Sequence, residues 1–175
     1  MVLGIRLLEH LKSVPDIETH LVVSRAAERT ILEETDYAID QVQALADVTH
    51  PVKDIGAAIA SGSFKTRGMI IAPTSIRTLS EIATGVTTSL LTRAADVTLK
   101  ERRPLILLLR ESPLHLGHIR SMAQVTEMGA IVAPPMLAMY PRPQSLDDVI
   151  DHMVGRALDL AGIDNDLAFR WREGG

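Results

Sequence analysis

The sequence contains no cysteine and very few aromatic residues. Without cysteine there are no disulfides, no thiolate metal ligands and no cysteine nucleophile, and the composition is compatible with a reducing compartment. Aromatic residues make up 3% of the chain, although 46% of it is hydrophobic. The core must therefore be built from Leu, Ile, Val, Ala and Met, as in many layered α/β proteins.

Long apolar runs are also missing. The longest strongly apolar run, PLILLL at 104–109, is far shorter than the ~20 residues that a membrane-spanning helix needs. The first dozen residues carry Arg6, Glu9, His10 and Lys12 and do not resemble a signal peptide. These features predict a cytoplasmic protein with no membrane partner.

Neither sign of charge dominates. The formal net charge is −4, and the basic residues are scattered rather than gathered into a stripe, which argues against nucleic acid as the main partner. A phosphate-sized pocket stays compatible with this distribution. The length of 175 residues suits one domain, which we assign to residues 1–162, and the residues from 163 to 175 read as a loosely attached tail.

What the chain does contain is a regular alternation of helical and strand-like segments. Strands are predicted at ETHLVV (18–23), GMIIAP (68–73), PLILLL (104–109) and AIVAPP (130–135). The last three are continuous apolar runs, which are typical of parallel strands covered on both faces. Helices are predicted over 3–11, 25–35, 40–46, 76–84, 87–100, 115–128 and 146–161. This order predicts an α/β fold, a parallel sheet with helices on both faces.

Polar residues follow the predicted strands at the points where they end. Ligands in such sheets bind at the carboxyl ends of the strands, and helices that begin there attract anions. Taken singly, Ser24 and Ser75 are also good helix caps. Taken together, the polar set predicts a binding site for an anion, with phosphate as the first candidate. Its members are Ser24, Thr74, Ser75, Arg110, Glu111 and Tyr140.

Arg110 and Glu111 come directly after five apolar residues. A charge beside a buried strand is costly unless it is partnered, so the two residues form either a structural ion pair or part of a site. In the functional interpretation Arg110 binds phosphate or a ring oxygen, and Glu111 is a carboxyl group that passes a proton.

Two other patterns have simple structural explanations. One is a helical stripe with spacings of three and four residues, which a solvated face of ion pairs explains: Arg93, Asp96, Lys100 and Arg103. The other is HLGH at 115–118, whose two histidines have a spacing that can share a metal ion but lack a third ligand nearby. We therefore predict no metal site.

Several motifs together resemble the UbiX family of flavin prenyltransferases, formerly described as decarboxylase subunits. They occur in the family's order and the similarity runs nearly from Gly4 to Trp171. The motifs are GSFKTRGMIIAPTSIRTLSEIATG, LLTRAADVTLKERRPL, RESPLHLGH and MYPRPQSLDDV.

The resemblance implies a Rossmann-like, flavodoxin-related three-layer α/β/α fold assembled into homo-oligomers, commonly dodecamers, with active sites at subunit interfaces. It implies FMN as cofactor, in reduced form as the acceptor of a dimethylallyl group from dimethylallyl phosphate. The prenylated FMN then serves a UbiD-type decarboxylase, with ubiquinone biosynthesis as the setting. No metal is required.

The resemblance also implies roles for individual residues. The positions that match flavin-binding residues are Ser24, Ser75, Ile76, Arg77, Thr78 and Arg110. Tyr140 and Arg156 match positions that hold the prenyl phosphate, and Trp171 resembles an aromatic residue near the prenyl group. Arg93, Lys100 and Glu111 match polar residues around the transferred group. The expected catalytic set is Glu111 for proton transfer, with Lys100 and Ser75 at the leaving phosphate.

The family begins with a strand and a glycine-rich turn that hold the flavin phosphate, and Met1 aligns just after that turn. We therefore expect this chain to lack both, through a misplaced start or a real loss. Two alternatives to a prenyltransferase stay open: a flavin-binding or assembly subunit without transferase activity, and an FMN-dependent decarboxylase. The decarboxylase would use a catalytic histidine, but His10, His20 and His50 do not lie in such a motif.

Overall fold

The computed structural model describes residues 1–171 as alternating helices and parallel strands. The helices are α1 (Val2–Leu11), α2 (Arg25–Glu34), α3 (Ile39–Gln43), α4 (Ile76–Thr84), α5 (Leu90–Lys100), α6 (Leu116–Glu127) and α7 (Leu146–Leu160). The strands are β1 (His20–Val22), β2 (Val48–His50), β3 (Met69–Thr74), β4 (Leu105–Leu109) and β5 (Ile131–Val132). A short 3-10 turn covers Ala58–Ala60.

The strands form two parallel sheets. The first has the order β1-β2 and the second the order β3-β4-β5. Met69 at the start of β3 is in register with Leu105 at the start of β4, and Ile106 is in register with Ile131 of β5. All three strands of the second sheet therefore end at the same edge, where ligands bind in parallel α/β sheets.

β4 lies at the centre of the core and contacts a helical layer on each of its two faces. All five of its residues are buried, and because successive side chains point to opposite faces, they divide between two clusters. Leu107 packs with Leu79 of α4 and Val125 of α6. Ile106 and Leu108 pack on the other face with residues of α1 and α7. This arrangement confirms the predicted three-layer α/β/α architecture.

Some element boundaries differ from the sequence prediction for local reasons. α5 begins at Leu90 rather than at residue 87, because the Ser89 hydroxyl caps it by accepting from the Thr92 N–H at 3.4 Å. β5 ends at Val132, before Pro134 and Pro135, since proline has no N–H for a strand ladder. The helix expected over 40–46 spans only Ile39–Gln43.

The strand β2 is missing from the sequence prediction. It pairs in parallel with β1, with Val48 opposite His20 and His50 opposite Val22. Its three residues alternate between half-buried and exposed positions, so no apolar run marks it. Pairing with β1, rather than local sequence, accounts for this strand.

The segment after Gly162 is packed and not loose. Ile163 and Ala168 are only 8% and 4% exposed, and the Asn165 amide nitrogen donates to the Gly155 carbonyl of α7 at 3.1 Å. Arg170 forms two hydrogen bonds with Asp159, at 2.6 and 2.8 Å. The expected loose tail is therefore wrong for residues 163–170, while the domain boundary itself stays a prediction. In residues 1–171, no helix has the length and apolar character needed to cross a membrane.

Candidate active site

A cavity of about 820 Å³ runs between β1 and β3, which belong to different sheets, and its lining extends past both ends of the two strands. Residues 16–24 and 64–76 form its two long walls, and side chains from α1 and α2 close it. Most of the wall residues are apolar, and polar side chains lie both before the beginnings of β1 and β3 and beyond the ends of the strands. This volume lies within the usual ~300–1,000 Å³ of small-molecule and cofactor sites.

Two helices begin at this cavity, each with a serine cap. The Ser24 hydroxyl accepts from the Ala27 N–H at 3.1 Å and begins α2. The Ser75 hydroxyl accepts from the Thr78 N–H at 3.2 Å and begins α4. Both caps agree with the sequence prediction. Because helix amino termini carry partial positive charge, the two ends create a favourable environment for an anion.

Arg110 and Glu111 leave β4 at the same edge. The Arg110 backbone N–H donates to the Thr74 carbonyl at 3.2 Å, which holds this turn against the end of β3. The Arg110 side chain is 62% exposed, and Glu111 is exposed as well. The two charges are not buried, because the chain leaves the core and enters solvent directly after Leu109. The prediction that they need partners because of burial is therefore wrong for this pair. Both residues still line the cavity.

Glu34 lies beside Arg110. The sequence patterns do not predict it as a site residue. Its carboxylate lies 3.7 Å from an Arg110 guanidinium nitrogen and 2.5 Å from the Met1 amino group. The hydrogen bond from that amino group lowers the pKa of Glu34, and the Arg110 charge acts in the same direction. A carboxylate in the last turn of a helix interacts unfavourably with the helix dipole. This position is the one feature of the local sequence that indicates a partner for Glu34.

Seven of the predicted site residues line the cavity: Thr74, whose buried hydroxyl donates to the Ile71 carbonyl at 2.9 Å, and six others. We call these six the cavity rim: Ser24, Ser75, Ile76, Thr78, Arg110 and Glu111. Arg77, predicted to bind flavin, is not in the set. Its side chain is 81% exposed and pairs with Glu81 of the same helix at 2.8 Å. Neighbouring positions on a helix point in different directions, so Thr78 faces the cavity while Arg77 faces solvent.

The structure does not bring Arg93 and Lys100 to the cavity of their own chain. Both lie on the outward stripe of α5, where Arg93 pairs with Asp96 at 2.9 Å and Lys100 pairs with Glu101. Lys100 ends the helix shortly before β4 begins, whereas Glu111 follows the end of β4. At ~3.3 Å per strand residue, the length of β4 separates them. The expected grouping of Lys100 with Ser75 and Glu111 is thus not formed within one chain.

Tyr140 and Trp171 belong to a second group, which we call the aromatic cluster and which comprises Tyr140, His152, Phe169 and Trp171. The Tyr140 ring contacts the other three edge-on, with centroid distances of 5.6 to 5.8 Å. Tyr140 lies on the loop between β5 and α7, and neither it nor Trp171 is among the residues that line the cavity. Arg156, one helical turn beyond His152, pairs with Asp159 at 2.8 Å.

The paired histidines of HLGH serve the start of α6. His115 is the cap residue, and its Nδ1 accepts from the Gly117 N–H at 3.0 Å. The His118 ring lies against it with a centroid distance of 3.5 Å. Across residues 1–171, no group of three or more histidine, aspartate or glutamate side chains could hold a metal ion.

Comparison with known proteins decides the family. The Flavoprotein family matches residues 1–158. The flavin prenyltransferase UbiX of Escherichia coli strain K12 is 59% identical over 171 residues, which cover 97% of this chain and 90% of the relative. The chain belongs to the UbiX flavin prenyltransferase family. The similarity that the four motifs indicated extends along almost the whole chain.

Solved structures of UbiX proteins have the same fold. AnUbiX (PadA1), crystallised in complex with FMN and dimethylallyl pyrophosphate, has a TM-score of 0.95 and 46% identity, covering 99% of this chain and 92% of that one. A dodecameric FMN-dependent UbiX-like decarboxylase from Escherichia coli O157:H7 has a TM-score of 0.94 and 46% identity, covering 97% and 92%. The resemblance predicted from the motifs is confirmed.

Proposed function

We propose that this protein is a flavin prenyltransferase that joins a dimethylallyl group from dimethylallyl phosphate to reduced FMN. The observation that carries the proposal is the cavity rim: six predicted residues from three separate stretches of the sequence line one cavity, in a chain of the UbiX family. The fold alone would not support an activity, because one fold hosts many functions.

The part of the cavity beyond the carboxyl ends of β1 and β3 has the chemistry expected of an FMN site. Apolar side chains along β1 and β3 provide surfaces for the flat flavin ring. Ser24, Ser75 and the amino termini of α2 and α4 provide hydrogen-bond donors, and Arg110 provides a positive charge for the phosphate. When bound, reduced FMN supplies the ring atoms to which the dimethylallyl group is joined.

Glu111 is the residue of the rim best suited to moving a proton. Its carboxylate lies at the cavity mouth, and one oxygen accepts from the Ser112 N–H at 3.0 Å, which fixes the side chain beside the site. A carboxylate held within reach of a reacting group serves as a general acid or base. Ser75, at the start of α4, contributes hydrogen bonding at the leaving phosphate.

The departing phosphate needs positive charge, because negative charge develops on its oxygen atoms as the allyl bond breaks. Arg156 and Tyr140 are proposed to hold this phosphate, and Trp171 to offer an aromatic face to the prenyl group. None of these three residues lines the cavity of its own chain.

Arg93 and Lys100 are proposed to act on the cavity of a neighbouring copy. Their side chains are 39% and 51% exposed on one outward stripe of α5, and neither residue lines the cavity of its own chain. A homo-oligomer, which we expect to be a dodecamer, would bring such a stripe to another subunit's site. We further propose that a UbiD-type decarboxylase receives the prenylated flavin.

The proposal is tested by titrating the protein with FMN, reducing the bound flavin chemically and adding dimethylallyl phosphate. We expect saturable binding, a changed flavin absorption spectrum and a released flavin whose mass has grown by the prenyl group. Binding without a mass change would instead identify a flavin-binding subunit without transferase activity. A protein that binds no FMN would contradict the proposal at its first step.

A further inference from the structure

His152 lies in the middle of α7, beneath the ring of Tyr140. The imidazole is 8% exposed and has a polar contact on each nitrogen atom. Nδ1 is 3.2 Å from the backbone nitrogen of Phe169, and Nε2 is 3.2 Å from the Tyr140 hydroxyl oxygen. The side chain therefore connects the helix, the loop after β5 and the last described segment of the chain.

These contacts determine which nitrogen carries the hydrogen. A backbone N–H can only donate, so Nδ1 must accept from Phe169 and carry no proton. In the neutral ring the hydrogen is then on Nε2, which donates to the oxygen of Tyr140. Burial lowers the pKa of His152, and the charge of Arg156 lowers it further, so the neutral ring is favoured at neutral pH.

The consequence falls on the hydroxyl of Tyr140. Because its oxygen accepts from His152, its own hydrogen is available for an acceptor on another side. The tyrosine ring is held by edge-on contacts with Phe169 and Trp171, at 5.8 and 5.7 Å, and is still 50% exposed. The ring is thus held in position while half of the residue's surface stays exposed.

We infer that His152 is a positioning residue for prenyl transfer, which orients the Tyr140 hydroxyl as a hydrogen-bond donor to the substrate phosphate. The inference rests on the proposed function and adds a residue that touches neither flavin nor substrate. Arg156 lies four residues further along α7, where a helix presents the same face. His152 thereby aligns a neutral donor beside a cationic one, and phosphate oxygens accept from both.

A purely structural role for His152 is the competing explanation, since the Phe169 contact alone would join α7 to the segment around residue 169. Two amide substitutions separate the explanations. In His152→Gln the amide nitrogen reaches the position of Nε2 and keeps a donor for Tyr140. In His152→Asn the amide oxygen reaches the position of Nδ1 and keeps an acceptor for Phe169, but the donor to Tyr140 is lost.

The experiment measures the KM for dimethylallyl phosphate and the FMN affinity of the wild type, His152→Gln, His152→Asn and Tyr140→Phe. One hydrogen bond is worth up to about tenfold in an equilibrium constant. We expect His152→Asn and Tyr140→Phe each to raise KM by about 5- to 10-fold, and His152→Gln to stay within about twofold. FMN affinity should be the same in all four proteins. The double variant His152→Asn/Tyr140→Phe should be no worse than Tyr140→Phe alone, since both changes remove the same interaction.

Folding is monitored through Trp171, the single tryptophan of the sequence, which contacts Tyr140 directly. Equal KM values for the Gln and Asn variants, with unchanged Trp171 emission, would overturn the inference. A Tyr140→Phe protein with unchanged KM would overturn it while leaving the transferase function in place. A wild-type protein that binds FMN and forms no product would overturn the proposed function, and the inference with it.

Discussion

The cavity rim and the aromatic cluster both contain residues predicted for the site but are held in place differently. The rim residues stand on strand ends and first helical turns, so backbone pairing and capping fix them, as in the Ser75 cap of α4. The cluster is assembled from a loop, a helix and the end of the described chain, and side-chain contacts such as Tyr140 to His152 fix it. We therefore expect substitutions in the rim to affect chemistry and flavin binding, and substitutions in the cluster to affect the use of the prenyl substrate.

The largest effect is expected at Glu111, the proton-transfer residue of the rim. Glu111→Gln should lower turnover by ~10²-fold or more, because the amide cannot exchange a proton. FMN affinity should stay nearly intact, since the carboxylate does not hold the flavin. The measurement is turnover with reduced FMN beside an FMN titration, and Glu127→Gln, an exposed change at the end of α6, is the matched control. Equal losses of turnover and affinity would remove Glu111 from the proton-transfer role.

Arg110 and Arg77 give a matched pair for flavin binding. Arg110→Ala should weaken FMN binding by about 10- to 100-fold, the cost of a lost charge-assisted hydrogen bond. Arg77→Ala should change it by less than about threefold, since the Arg77 side chain faces solvent and pairs with Glu81. FMN titrations of both variants check the contrast. A larger loss from Arg77→Ala would mean that another copy's cavity uses this arginine.

Arg156→Lys tests the cluster side of the comparison. Lysine keeps the charge but lacks the planar fork that binds two phosphate oxygens at once. We expect the KM for dimethylallyl phosphate to rise by about 3- to 10-fold with FMN affinity unchanged, in a steady-state assay. An unchanged KM would exclude Arg156 from the phosphate site.

The smallest effect concerns stability and pH. His152 has a pKa below its ordinary value of 6.5 in the folded protein, so on acidification the unfolded chain takes up a proton before the folded one does. The contribution of His152 to the free energy of unfolding is therefore fully present above about pH 6.5 and declines below it. The thermal midpoint of the wild type should fall more between pH 7 and pH 5 than that of His152→Gln. Parallel curves for the two proteins would contradict this linkage.

The fold was largely predictable from the sequence, because continuous apolar runs and serine caps are local signals. PLILLL became β4, buried at every position, and Ser24 and Ser75 cap their helices as expected. β2 could not be predicted, since its existence depends on pairing with β1, which is distant in sequence.

The site was predictable where it follows the backbone and not where it depends on side-chain packing. Ser24, Ser75, Arg110 and Glu111 could be read from strand ends, whereas Ile76 and Thr78 came only from the family resemblance. His152 was missed because a lone histidine on a helix carries no local signal until Tyr140 and Phe169 are seen around it. The spacing of Arg93 and Lys100 indicated a helix face, but no property of the sequence says which chain's cavity that face meets.

Mixing two inactive variants tests most directly whether the rim and the α5 stripe complete one site from two chains. Lys100→Ala and Glu111→Gln proteins would be co-expressed under different tags, co-purified and assayed for prenylated flavin. If the two residues come from different copies, some mixed sites carry both native side chains, and activity should recover to roughly a quarter of the wild-type value by random assembly. Activity no higher than that of the separate variants would contradict a site shared between subunits.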